Sequence, residues 1–233
     1  MVDISSPAKR FKIVNSYIGL GKPKNSLWFI GLEEASEWDE CWEADRDDYE
    51  AYSNKKTRYE EEGKEPIGNV YNYISQICIK LLEPSVNISS EKFRKEHLFK
   101  KNCPVFQTNL YPLGKKCINS KPDKYVQLFS INLDNYYCDE TYQGRWESIY
   151  KKWKNSRPIA TVCFGKGNWS QFIKLLKLGE PDDSRVSKKN RVNTEIYSNE
   201  MVLLTYFLGR GFQTEVIESV TSILKEFNIT LTL

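Results

Sequence analysis

The chain has 233 residues, 40% hydrophobic and 13% aromatic, enough for a sizeable core. Its 28% charged residues sum to a net charge of only +3, which excludes a polycation. Any nucleic-acid binding must come from local clusters of Lys and Arg. No stretch approaches the ~18 uninterrupted apolar residues of a membrane span, and Met1 to Phe11 lacks the apolar core of a signal peptide.

No Gly-, Ser- or Pro-rich linker divides the sequence, so residues 1–233 are expected to form a single domain, with a charged insertion at about 38–66. The six cysteines, Cys41, Cys78, Cys103, Cys117, Cys138 and Cys163, include no C-x-x-C pair. The lone histidine, His97, cannot complete a Cys/His zinc site of normal spacing, so no metal or other cofactor is expected. Reduced thiols and a cytoplasmic location follow from the absence of an export signal.

In chain order, Asn15 to Ser26 reads as a loop broken by Gly19, Gly21 and Pro23. The apolar run Leu27-Trp28-Phe29-Ile30 reads as a strand covered on both faces. It stops at Gly31 and is followed, after Leu32, by the carboxylates Glu33 and Glu34. Trp38 to Lys64 is too polar for a core element. It is either a solvated helix or an excursion over the site. Val70 to Leu82 places Val70, Tyr73, Ile74, Ile77 and Leu81 on one helical face. Glu91 to Phe99 suits a short polar helix, and Val105 to Leu110 a second strand.

Tyr142 to Trp153 is helical in pattern, with Trp146, Ile149 and Trp153 along one side. Ile159 to Phe164 forms a third strand stopping at Gly165, and Trp169 to Leu178 another helix. Asp182 to Asn193 reads as a polar loop. Thr194–Tyr197 and Met201–Tyr206 read as a hairpin or two sequential strands. Thr214 to Phe227 closes with a helix whose Val216, Ile217, Val220, Ile223 and Leu224 face inward, and Ile229–Leu233 adds a short strand. Alternating strands and helices argue for a three-layer α/β/α sandwich with a mostly parallel central sheet. Ligands of such sheets sit beyond the carboxyl ends of the strands.

Four strand-end segments now stand in order: Gly31-Leu32-Glu33-Glu34-Ala35, Thr108-Asn109-Leu110-Tyr111-Pro112, Cys163-Phe164-Gly165-Lys166-Gly167 and Leu204-Thr205-Tyr206-Phe207-Leu208-Gly209-Arg210-Gly211-Phe212. Their order resembles the uracil-DNA glycosylase superfamily over roughly Leu27 to Phe227. In that family a G-x-D/N-P or G-x-x-P motif follows the first strand. An asparagine ends the second, the third ends in glycine, and an H-P-S motif precedes the last helix. Here Glu34 replaces the proline, and Tyr206-Phe207-Leu208 stands where H-P-S would fall. These departures imply a different target base or loss of catalysis.

The resemblance implies a monofunctional DNA glycosylase that flips a pyrimidine and hydrolyses its N-glycosidic bond. Glu33 would occupy the water-activating position, with Glu34 as the alternative if the motif slips by one. The competing role for either acid is to cap a helix N-terminus. Asn109 would read the base edge, since an amide offers both donor and acceptor. The aromatic candidates for the pocket wall are Phe106, Tyr111, Tyr71 and Trp38.

Leu208 would fill the hole left by the flipped base, Arg210 would hold a phosphate, and Gly209 and Gly211 would let the backbone approach DNA. Lys115, Lys116 and Lys166, with Lys188, Lys189 and Arg191, would form a phosphate track. Lys151, Lys152, Lys154 and Arg157 read as a solvated face at the opposite end. The insertion and the missing histidine suggest a base larger than uracil, such as a modified or glycosylated pyrimidine of phage DNA.

The expected partner is DNA, bound by a monomer without membrane association. Repair and antiviral defence are both open as roles. Two other readings compete. One is a catalytically inactive nucleic-acid binding module of the same fold. The other is a metal-dependent α/β hydrolase using Glu33 and Glu34 as an acid/base or metal-binding pair.

Overall fold

The computed structural model describes residues 6–32, 66, 68–100, 102–114, 123–132, 139–187, 191–207 and 211–233. The charged insertion therefore lies almost wholly outside the described residues. The elements run α1 (Pro7–Ser16), β1 (Leu20–Gly21), β2 (Leu27–Gly31), α2 (Asn69–Leu81), α3 (Ser90–Glu96), β3 (Val105–Asn109), α4 (Lys124–Phe129), α5 (Asp139–Ser156) and β4 (Ala160–Phe164). A 3-10 turn (Lys166–Asn168), α6 (Trp169–Leu176), β5 (Asp183–Val186), β6 (Asn193–Tyr197), β7 (Val202–Thr205) and α7 (Gln213–Glu226) complete them.

The described strands form one seven-stranded sheet in the order β1-β3-β2-β4-β7-β6-β5. The four inner strands β3-β2-β4-β7 pair in parallel. The β1–β3, β7–β6 and β6–β5 pairs are antiparallel. The fold is thus α/β with a mixed sheet, which corrects the expectation of a mostly parallel one. Two of the antiparallel strands, β1 and β5, came from segments that read as loops. Gly21 and Leu20 pair with Phe106 and Gln107, and Asp183–Val186 pairs with β6. The β6–β7 segment is a hairpin.

The inner strands are apolar at successive positions because helices cover both faces. Alternate residues serve opposite layers. Trp28 and Ile30 pack with Phe106, Cys163, Leu128, Ile149 and Phe172, under α1, α4, α5 and α6. Leu27 and Phe29 pack with Val105, Val162, Ile74, Ile77, Val220 and Leu224, under α2, α3 and α7. Trp28 is fully buried and its indole N–H donates to Pro23 O at 2.7 Å, so no polar atom of that ring is orphaned. The helix at Asn69–Leu81 buries Ile74, Ile77 and Leu81 as the periodicity predicts, and adds Ser75 and Cys78. All five inward positions expected of α7 are buried. The C-terminal tail contributes a single bridge, Leu231 to Leu82.

The connections fix where a ligand can sit. From β2 the chain crosses one face through α2 and α3 to β3, on one side of β2. From β3 it returns across the other face through α4 and α5 to β4, on the opposite side of β2. Opposite directions on opposite faces give both crossovers the same hand. The carboxyl ends of β2 and β4 therefore flank a topological switch point, where open α/β sheets leave a crevice.

Candidate functional site

The two-residue period of a strand puts Gly31, Asn109, Phe164 and Thr205 on one face at this rim. Gly31 pairs with Asn109 and Phe164 with Thr205. A Cβ at Gly31 would stand 2.7 Å from Asn109 Oδ1 and 2.8 Å from Phe164 Cε2. Both distances are shorter than any real Cβ contact. Gly31 is required by close approach: its absent side chain lets the Asn109 amide and the Phe164 ring converge over β2.

Gln107, two residues before Asn109 and on the same face, is 6% exposed. Its Nε2 donates to Asn109 Oδ1 at 2.9 Å and lies 3.3 Å from Thr108 O. Two oxygens around one atom identify that atom as the nitrogen, because the reversed amide would press oxygen against oxygen. Among the described residues, Asn109 Nδ2 has no hydrogen-bond partner.

The backbone beneath Asn109 is held by Arg145 of α5, which is 3% exposed. Its Nη2 donates to Asn109 O at 2.8 Å and its Nε to Leu110 O at 2.9 Å. Its Nη1 donates to Asn15 O at 2.9 Å and Tyr17 O at 2.7 Å. A guanidinium has five donors in a rigid fork, so one buried side chain ties the end of β3 to the segment leaving α1. Leu110 N and Tyr111 N then donate to Gly31 O and Leu32 O, extending the pairing past both strands.

Beyond the end of β7, Phe207 is 42% exposed and its ring centroid lies 6.1 Å from that of Phe164. Lys166 stands on the 3-10 turn after β4, exposed to solvent. Its ammonium hydrogen-bonds Tyr206 Oη and lies 4.6 Å from the Tyr206 ring centre. Trp169 Nε1 donates to Thr205 O at 3.0 Å and Gly165 N donates to the same carbonyl, which pins the β4 and β7 ends together. Cys163 is unsuited to serve as a nucleophile here. Burial pushes its thiol well above the usual range and disfavours the thiolate.

The expected site residues divide accordingly. Asn109 and Lys166 stand at the rim. Phe106 and Tyr111 are core side chains rather than pocket walls. Phe106 is 1% exposed and packs 4.3 Å from Trp28, on the face away from Asn109. Tyr111 lies against Trp146. Tyr71 stands edge-on to Phe99, in the layer under α2. Arg191 of the expected phosphate track is ion-paired with the buried Glu215. Glu33, Glu34, Trp38, Lys115, Lys116, Lys188, Lys189, Leu208 and Arg210 lie outside the described residues.

Three rim residues escaped the sequence reading: Phe164, Phe207 and Gln107. The two phenylalanines stood in segments already recognised, and the register of β4 and β7 gives them their place. Gln107 had a visible signal, an amide in an otherwise apolar strand.

A groove of about 710 Å³ lies elsewhere, between β5 and α7, lined by residues that include Arg185, Arg191, Phe212, Glu215, Glu218 and Glu226. Its arginines are paired, Arg185 with Glu226 and Asp183, and Arg191 with Glu215. Both of its arginines are thus already matched by carboxylates. Unmatched donors with neighbouring aromatic rings make the rim the stronger candidate. No protein-family model matches this chain, and no curated protein sequence matches it.

Proposed function

We propose that the protein is a monofunctional DNA glycosylase of uracil-DNA glycosylase-like fold, acting in the cytoplasm as a monomer. It flips a pyrimidine, with a modified or glycosylated base favoured over plain uracil, and leaves an abasic site. The observation that carries the reading is the convergence of the Asn109 amide and the Phe164 ring over Gly31 at the switch point. An edge-reading amide beside aromatic rings suits a planar heterocycle bearing both donors and acceptors.

In this reading Asn109 pairs with the edge of the flipped base, and the exposed Phe207 offers a stacking surface. Lys166 meets a phosphate. Glu33 and Glu34 follow Gly31 by two and three residues in the sequence, and the reading assigns the catalytic carboxylate to one of them. As the C1′–N bond breaks, the base leaves with the electron pair and positive charge grows on the sugar. The carboxylate stabilises that charge and takes a proton from the water that attacks C1′. No lysine at a matched position supports Schiff-base chemistry, hence the monofunctional assignment.

The test incubates the protein with duplexes bearing normal, deaminated and modified pyrimidines, then cleaves abasic sites with alkali. Strand scission with the wild type, lost in Glu33→Ala and Asn109→Ala, is the expected result. DNA binding without abasic sites on any duplex would instead favour an inactive binding module.

A further inference from the structure

We infer that Gln107 is a positioning residue that decides which pyrimidine edge Asn109 accepts, a claim resting on the glycosylase reading for its substrate. An asparagine amide is nearly symmetric in shape, and a free one can rotate to present either donor or acceptor at a given point. Asn109 cannot do so at equal cost. Its Oδ1 accepts from Gln107 Nε2 at 2.9 Å, and the reversed rotamer would set two NH₂ groups against each other. Gln107 is itself unable to turn over, because its Nε2 also faces Thr108 O at 3.3 Å and the side chain is nine-tenths buried.

The order of atoms along the rim is therefore set by Gln107 and Thr108, neither of which needs to touch the ligand. The side of Asn109 without a partner among the described residues is the donor, Nδ2. A carbonyl oxygen has two lone pairs, so Oδ1 can accept from a ligand N–H while it still accepts from Gln107. This pattern matches a pyrimidine with a 4-oxo group beside a ring N–H, as in uracil and its 5-substituted forms. A 4-amino pyrimidine reverses both positions, opposing donor to donor and acceptor to acceptor. A matched bidentate pair gives about tenfold to a hundredfold discrimination.

The experiment compares duplexes identical except for a 4-oxo or 4-amino pyrimidine with the same 5-substituent, in wild type, Gln107→Met and Gln107→Glu. Wild type should prefer the 4-oxo base by at least about tenfold in kcat/KM. Gln107→Met removes the donor and frees the amide, so the ratio should collapse towards one. Gln107→Glu offers only acceptors when ionised, turns Asn109 over and should invert the ratio. A purely structural role would lower both rates together and leave the ratio unchanged, and that result overturns the inference.

A second readout stands apart from catalysis and from the variants' folding. In isotope-labelled wild-type protein, the Gln107 side-chain N–H should show scalar coupling to the Asn109 side-chain carbonyl carbon across their hydrogen bond. The Asn109 NH₂ resonances should move on titration with free uracil and not with free cytosine. If no duplex yields abasic sites, the glycosylase reading fails while this titration still judges Gln107. Missing coupling, or equal responses to the two bases, overturns the inference.

Discussion

At the β5–β6–α7 end the arginines face carboxylates across a wide groove, whereas at the β3–β2–β4–β7 rim the Asn109 amide is fixed from behind and its NH₂ has no partner among the described residues. Arg185 and Arg191 are half-exposed and engaged with Asp183, Glu226 and Glu215. Arg145 is buried, and it holds the backbone carbonyls of Asn109 and Leu110 at the end of β3. Volume marks the first region and preorganisation the second. A site that must recognise a ring edge needs the second kind, because recognition depends on donors whose orientation is set before the ligand arrives.

The contrast is open to mutation. Arg145→Met should cost about 3–5 kcal/mol in urea denaturation, since it strips charged donors from four carbonyls at once, all of them buried or partly buried. Arg185→Met should cost under about 1 kcal/mol, and less in high salt, because its partners are solvated. Equal costs would erase the distinction between the two regions.

Gly31→Ala should come next, at about 1–3 kcal/mol, because its Cβ must displace the Asn109 amide or the Phe164 ring. Loss of the Asn109 response to uracil should accompany it. Gly144→Ala is the opposite control. A Cβ there meets nothing within 4 Å inside α5, and the change should stabilise by about 0.5–1 kcal/mol.

The smallest effect concerns the buried thiols. Desolvation pushes Cys78 and Cys163 well up and Cys103 to about 12. A folded pKa raised above the unfolded one gives stability that is fully present below the unfolded value. That stability is lost as pH rises through the folded value. Urea midpoints should therefore hold to about pH 8.5 and decline above it. Iodoacetamide at pH 8 should label these three cysteines only after unfolding. Rapid labelling of Cys163 in the folded protein would contradict its burial on β4, between β2 and β7.

Much of this framework was legible because apolar periodicity follows from burial. Leu27–Ile30, Val105–Asn109 and the α7 positions from Val216 to Leu224 announce their elements directly. The edge strands did not. Leu20–Gly21 is two residues long and Asp183–Val186 is polar and largely exposed, so long-range pairing rather than local pattern makes them strands. The same holds at the site. Asn109 stands out at the end of a strand, but Phe164 joins it only once the register is known. Arg145 looks like one more charge in a polar helix until its four carbonyl acceptors are seen. Phe106 misled because it is aromatic and three residues from Asn109. An odd separation along a strand places the two on opposite faces.

Mass spectrometry of the reaction products bears most directly on the glycosylase assignment. A duplex carrying one modified pyrimidine, treated with the wild-type protein, should yield the free base and a strand lighter by that base, with its phosphodiester backbone intact, and Asn109→Ala should yield neither. An unchanged strand across the whole panel of bases, or backbone scission without release of a free base, would contradict it.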